Sequence, residues 1–244
     1  MNNRRSSKSA FTLIELLTVI AVIAVLAAIL IPSIGAVRKN ANQVKCASNM
    51  RSIAQAIIMY AAENGRYPSN NVSYDRSIMP YLGIDESAVA DLPTGPLLRT
   101  DARNGAVAGI AELFRSPADD VPRSNPDFFL RSYAIVPWTC NWSNGTATRG
   151  FPGLPTNTGV PPVVNPNPSK AALLVQVHRP ANAIGSPGNA LGDGPASTAD
   201  NRIHGDKSNV AFADGHVASF NYKEISPNNF IGEYWGGAGM FQNN

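Results

Sequence analysis

Three histidines, His178, His204 and His216, share the last third of a 244-residue chain with Asp193, Asp200, Asp206 and Asp214. Imidazoles and carboxylates are the side chains with which a metal-dependent hydrolase holds its ion, so this set is the first candidate for chemistry. Its spacing argues otherwise. No His-Glu-x-x-His element, paired-cysteine motif or Gly-x-Ser-x-Gly nucleophile turn accompanies it. Asp214 directly precedes Gly215, and Asp-Gly is turn chemistry: Asp tolerates positive φ and Gly adopts it without cost. The economical role for His204 is a hydrogen bond to the loop of that turn. Asp193, Asp200 and Asp206 stand in oxygen-rich loops of the kind that hold calcium, although without EF-hand spacing. Calcium is thus the one candidate metal, and no cofactor is required. Trp138, Trp142 and Trp235 with Tyr133 offer faces for a sugar ring, but such aromatics serve more often as core or loop anchors. Cys46 and Cys140 are compatible with one disulfide in an exported body or with two unrelated thiols.

A different kind of candidate lies at the N-terminus. Glu15 stands within an apolar run that ends at Pro32 and is preceded by Arg4, Arg5 and Lys8. The run approaches the ~20 residues that a helix needs to cross a bilayer, and a carboxylate on a lipid-facing helix costs about 2.5–3.5 kcal/mol. Glu15 therefore calls for a positive partner. An ordinary secretory signal has its small cleavage residue after the apolar region, whereas Ala10 comes before it, so cleavage there leaves the helix on the mature chain. The formal charge of +3, from 20 basic and 17 acidic residues, equals the charge of Arg4, Arg5 and Lys8. What remains is balanced, which argues against a nucleic-acid partner. The basic leader places the N-terminus in the cytoplasm and the body outside, with Arg38, Lys39 and Lys45 weakening the contrast.

Cys46, Met50, Ile53, Ile57 and Tyr60 recur at four-three-four-three spacing, the stripe of an amphipathic helix. Asn64-Gly65 supplies a stop, with Pro68 beyond. Nothing between Pro32 and Cys46 has linker composition, so residues from about 11 to 63 read as one helix, kinked near Pro32. From Tyr67 to about Asn167 the chain reads as long loops with a few strands or turns, including the short apolar pieces Ile110 to Phe114 and Phe128 to Val136. Ala171 to His178 reads as a buried strand. Residues 209–213 and 216–220, separated by Asp214-Gly215, read as a hairpin with a two-residue turn. That register pairs Phe212 with Val217 and Val210 with Ser219 on one face, and leaves Ala211, Ala218 and Phe220 on the other. The fold class is α+β: a long helix packed on a small antiparallel sheet with long loops.

Ala10-Phe11-Thr12-Leu13-Ile14-Glu15 resembles the N-terminal methylation motif of type IV pilins and type II secretion pseudopilins. His204, nine residues, then Asp214-Gly215 resembles the C-terminal H-x9-DG signature of a bacterial pilin-like family that shares this N-terminus. The resemblance implies a leader of residues 1–10, a membrane and filament-core helix over 11–31 and an exported body over 32–244. It further implies cleavage after Ala10 by a prepilin peptidase, methylation of the Phe11 amine, and pairing of Glu15 with that amine in an adjacent subunit. The implied product is a non-enzymatic subunit of a type IV pilus or type II secretion-like filament. Its partners are copies of itself, other pilin-like subunits and an inner-membrane assembly platform. Its place is a single pass through the bacterial inner membrane with a periplasmic body, then a periplasmic or extracellular filament. Relatives with both motifs often carry Cys-Pro where this chain reads Ser116-Pro117. The rival reading is an exported enzyme or carbohydrate-binding module on an uncleaved signal anchor.

Overall fold

The apolar run and the amphipathic stripe form one element. In a computed structural model that describes residues 13–64, 67–68, 73–100, 105–122, 125–135, 168–170, 172–178, 183–185 and 204–221, α1 spans Leu13–Asn64 and runs through Pro32. The chain divides into two units, Met1–Ala41 and Asn42–Asn244. In the first, the large side chains of α1 from Leu13 to Val37 stand exposed. The hydroxyls of Thr18 and Ser33 fold back to donate to the carbonyls of Glu15 and Leu30, at 3.0 and 2.7 Å. Each hydroxyl proton is thereby satisfied within the helix, as an apolar surround demands.

In the second unit, α1 is the core. Cys46, Met50, Ile53, Ala54, Ile57 and Ala61 are buried against the body, each large member contributing about 1.5–3 kcal/mol by leaving water. The expected stripe is present, with Tyr60 at its half-buried margin. The helix stops at Asn64, whose amide donates to the Tyr60 carbonyl at 3.0 Å, satisfying one of the acceptors a helix end leaves bare.

The loop-rich middle holds more helix than its composition indicates. Short helices α2 (Tyr74–Ile78) and α3 (Glu86–Ala90) flank a 3-10 turn at Met79–Leu82, and α4 spans Gly105–Phe114. The region reads as loop because Gly105 and Gly109 dilute the helical signal. Yet Val107, Ile110, Ala111 and Phe114 keep helical spacing, and all four pack into the core. Asn49, buried on α1, donates to the carbonyls of Glu112 and Arg115 at 3.2 and 3.3 Å and so caps α4. Asn49→Leu is expected to cost about 1–2 kcal/mol, because it strips both carbonyls of their buried donor. Thermal melting of the full chain in detergent checks it.

Four antiparallel strands, β1 (Tyr133–Ile135), β2 (Ala172–Gln176), β3 (Lys207–Phe212) and β4 (Val217–Asn221), form a sheet in that order. Tyr133, Ile135, Ala211 and Val217 join the α1 side of the core, whereas Ala134, Val175, Val210 and Phe212 form a second apolar cluster. Leu173 and Leu174, adjacent in sequence, both join the α1 side, where the β2–β3 register shifts between Ala172 and Leu174. Such an irregularity re-aims a side chain.

The hairpin register differs from the expected one by a residue. Ala211 pairs with Val217, Val210 with Ala218 and Asn209 with Ser219. Phe212 and His216 close the ladder, leaving a three-residue loop of Ala213, Asp214 and Gly215, with Gly215 at φ +86°. Three-residue loops place a glycine in the left-handed region after a tight turn, and Asp214 supports this by accepting the His216 N–H at 3.0 Å. The slip exchanges the faces of β4. Val217 therefore turns toward α1, and Phe220 meets Phe212 with ring centroids 5.9 Å apart.

Candidate functional site

Glu15 lies in the first turn of α1, the only charged residue from Leu13 to Val37. The 22 residues from Leu13 to Ile34 span about 33 Å at a helical rise, enough for a hydrocarbon core of roughly 30 Å. None of the most apolar 18-residue window of α1 is buried. Ala10 and Phe11 lie outside the described residues.

His204 and Asp214-Gly215 are not brought together. His204 stands in the turn before β3, its N–H donating to the Lys207 carbonyl at 2.9 Å, and Asp214 stands beyond the other end of that strand. About 17 Å of strand separates them. The expected hydrogen bond from His204 to the hairpin loop is therefore not made; among the described residues its Nε2 is buried without a partner. Burial pushes the His204 imidazole below the usual histidine range, which keeps the ring neutral. Asp214 instead contacts His216 Nδ1 at 2.5 Å, an exposed pair whose ring stacks on Phe212 at 4.3 Å between centroids. These contacts with His216 hold the Asp214 carboxyl below its usual range against the opposing effect of partial burial. Gly215 rests on α1: a Cβ there would lie 3.7 Å from Ile58 Cδ1. Further along the hairpin, midway on β4, Ser219 Oγ accepts from Gln43 at 3.0 Å. Gly215 and Ser219 thus lay the strand pair along α1.

Of the calcium candidates only Asp206 is described, exposed in the turn before β3; Asp193 and Asp200 lie outside the described residues. Trp138, Trp142 and Trp235 also lie outside them, while Tyr133 is buried in the core.

Cys46 is a free, buried thiol, and Cys140 lies outside the described residues. Its sulfur lies 3.1 Å from Ser116 Oγ. That oxygen also accepts from Gln176 Nε2 at 2.9 Å and from the Ala118 N–H at 3.2 Å. Ser132 donates from Oγ to Asp119 and accepts the Ser116 N–H at 3.0 Å, and His178 Nδ1 lies 3.8 Å from Asp119. Serine, aspartate and histidine meet here in the wrong order for catalysis: the hydroxyl faces the carboxylate, not the imidazole base. The cluster is a buried polar network joining α1 to the segment after α4 and to β2.

Sequence reasoning missed the most buried charges. Asp75 and Arg131 are both fully buried and paired at 2.7 Å. Asp75 also accepts from the hydroxyl of Ser73, from the Arg76 N–H at 2.8 Å and from the Gly185 N–H at 3.3 Å. Arg76 turns its guanidinium onto the carbonyls of Leu92, Pro93 and Gly95. Gly185, at φ +84°, admits no side chain, because a Cβ there would meet the Gly95 carbonyl at 2.3 Å. The available signal was Arg131 itself, a charge inside the apolar stretch from Phe128 to Val136.

An N-terminal helix of this length, apolar and exposed at first and buried by a small antiparallel sheet later, with one acidic residue in its first turn, is a prepilin-like, α+β arrangement. Residues 5–31 match the prokaryotic N-terminal methylation motif. The chain is similar to type II secretion system core protein G of Aeromonas hydrophila, 33% identical over 75 residues, which are 31% of this chain and 51% of that protein. It spans about half the length of that relative. No solved structure matches the chain.

Proposed function

We propose that the protein is a pilin or pseudopilin subunit of a type II secretion-like or type IV pilus-like filament, made as a prepilin, cleaved after Ala10 and methylated on the Phe11 amine. The observation that carries this reading is the methylation motif at residues 5–31 leading into one 52-residue helix. The first part of that helix is apolar and exposed, and its last part is the core of the body. A signal removed during export has no reason to be continuous with the core. The apolar segment anchors the subunit in the inner membrane with the body in the periplasm, until neighbouring helices replace lipid in the filament. Glu15 pairs with the Phe11 amine of an adjacent subunit, which removes the cost of two charges in an apolar surround. No catalytic step is required of it.

Glu15→Val is expected to leave the chain in the membrane fraction while cutting the sheared filament fraction at least about tenfold, the loss of one contact of about 1.4 kcal/mol. Unchanged assembly would remove the pairing role. Mass spectrometry after coexpression with a prepilin peptidase should find a chain beginning at N-methylated Phe11; a chain retaining Met1 would instead mark an uncleaved anchor.

A further inference from the structure

Within the body, α1 leaves one face uncovered. Val44, Ser48, Arg51, Gln55, Met59 and Ala62 are all exposed, and at 100° per residue they fall within an arc of about 80°, running roughly 27 Å along the axis. The outer face of a surface helix is ordinarily charged. This one carries a single charge, Arg51, and two large apolar side chains, Val44 at 69% and Met59 at 54% exposure. Lys45 flanks it, and no acidic residue occurs from Asn42 to Ala62.

The complement in charge is on another surface of the same molecule. Asp85, Glu86 and Asp91 are exposed on and beside α3, in a stretch from Ser77 to Leu98 that has no basic residue. That stretch is tied to the C-terminal end of α1 by Tyr81, whose hydroxyl donates to Glu63 at 2.5 Å and accepts from Asn64 at 3.2 Å. Twelve residues, about 18 Å of helix, separate Glu63 from Arg51. Among the described residues no ion pair joins Arg51 to Asp85, Glu86 or Asp91 of its own chain, which leaves those acids for the Arg51 of a second copy.

We infer that the outer face of α1 from Val44 to Met59 is an interface, covered by the α3 edge of a second copy of this chain. The inference rests on the filament reading above and specifies its contact. Different patches meet, so each copy offers both halves and the contact repeats head to tail, open wherever the rotation between copies does not close a ring. Val44 and Met59 lose water, while Arg51 and Lys45 meet Asp85, Glu86 and Asp91 and set the register.

The test uses the full chain in the cell envelope. Gln55→Cys combined with Ser87→Cys, both exposed positions, is expected to give an oxidant-dependent ladder of multimers that neither single variant gives. Arg51→Glu should reduce that ladder at least about tenfold. Adding Asp85→Lys, Glu86→Lys and Asp91→Lys to Arg51→Glu should restore it. Unchanged melting of Arg51→Glu in detergent separates a lost contact from a lost fold. Filaments that form without a ladder, or a ladder indifferent to both reversals, overturn this interface and leave the filament reading standing. Absence of filaments from the unaltered chain overturns both.

Discussion

Arg131→Met is expected to destabilise the body by about 3–5 kcal/mol, the cost of removing one partner from a buried ion pair. The pair itself contributes little net stability, because bringing two charges out of water offsets most of their attraction. Removing one side is different: the Asp75 carboxylate, at 0% side-chain exposure, is left with the Ser73 hydroxyl, the N–H groups of Arg76 and Gly185 and the weaker attraction of the Arg76 guanidinium, which is itself turned onto other carbonyls. The guanidinium carbon also lies 5.1 Å from the Tyr74 ring centroid, a desolvated cation–π contact that methionine forfeits. Asp75→Asn in the same chain removes the stranded charge, so the double variant should regain at least half of the loss. Additive losses in that double-mutant cycle, or a single-variant loss under about 1 kcal/mol, would show that the charge is not the source.

Ser116→Cys should produce the opposite effect. Cys46 Sγ and Ser116 Oγ are 3.1 Å apart across a sequence separation of 70 residues. The longer C–S bond brings a second sulfur closer to Cys46, within range of oxidation. Closing a loop of this length constrains the unfolded chain by about 4 kcal/mol. Against this stands the hydroxyl that Gln176 and Ala118 now use; leaving that amide without its acceptor costs about 1–2 kcal/mol. The net gain is then about 2–3 kcal/mol, seen as a higher melting temperature after mild oxidation that is lost on reduction. Thiol titration of the denatured chain should fall from three groups to one. Ser116→Ala, which makes no bridge, should only destabilise; a gain in that variant would defeat the argument. The expected position of a relative's cysteine at Ser116 thus acquires a partner, Cys46, where Cys140 had been the only one in view.

What is legible in the sequence follows periodicity. Met50, Ile53 and Ile57 sit at helical spacing without breakers, so both their helix and their burial were legible. The hairpin was legible as a turn but not as a register, because Asp-Gly serves two-residue and three-residue loops alike. The difference lies in whether Gly215 ends the turn or forms its bulge, and tertiary contact with Ile58 is not written in the dipeptide. α4 was hidden by two glycines in a turn-rich stretch. The pairs Asp75 with Arg131 and Cys46 with Ser116 were illegible because they join positions 56 and 70 residues apart, and nothing local marks such a partner.

The hairpin touches α1 at Gln43 and again at Ile58, with Asn49 bound to α4 between them. A load pulling along that stretch of the helix meets these contacts in shear and must slide all of them together, whereas a load across it would peel them one after another. The body is therefore built to hold its grip on α1 in the axial direction and to yield in the transverse one, so a tension test in the two directions should return unequal rupture forces.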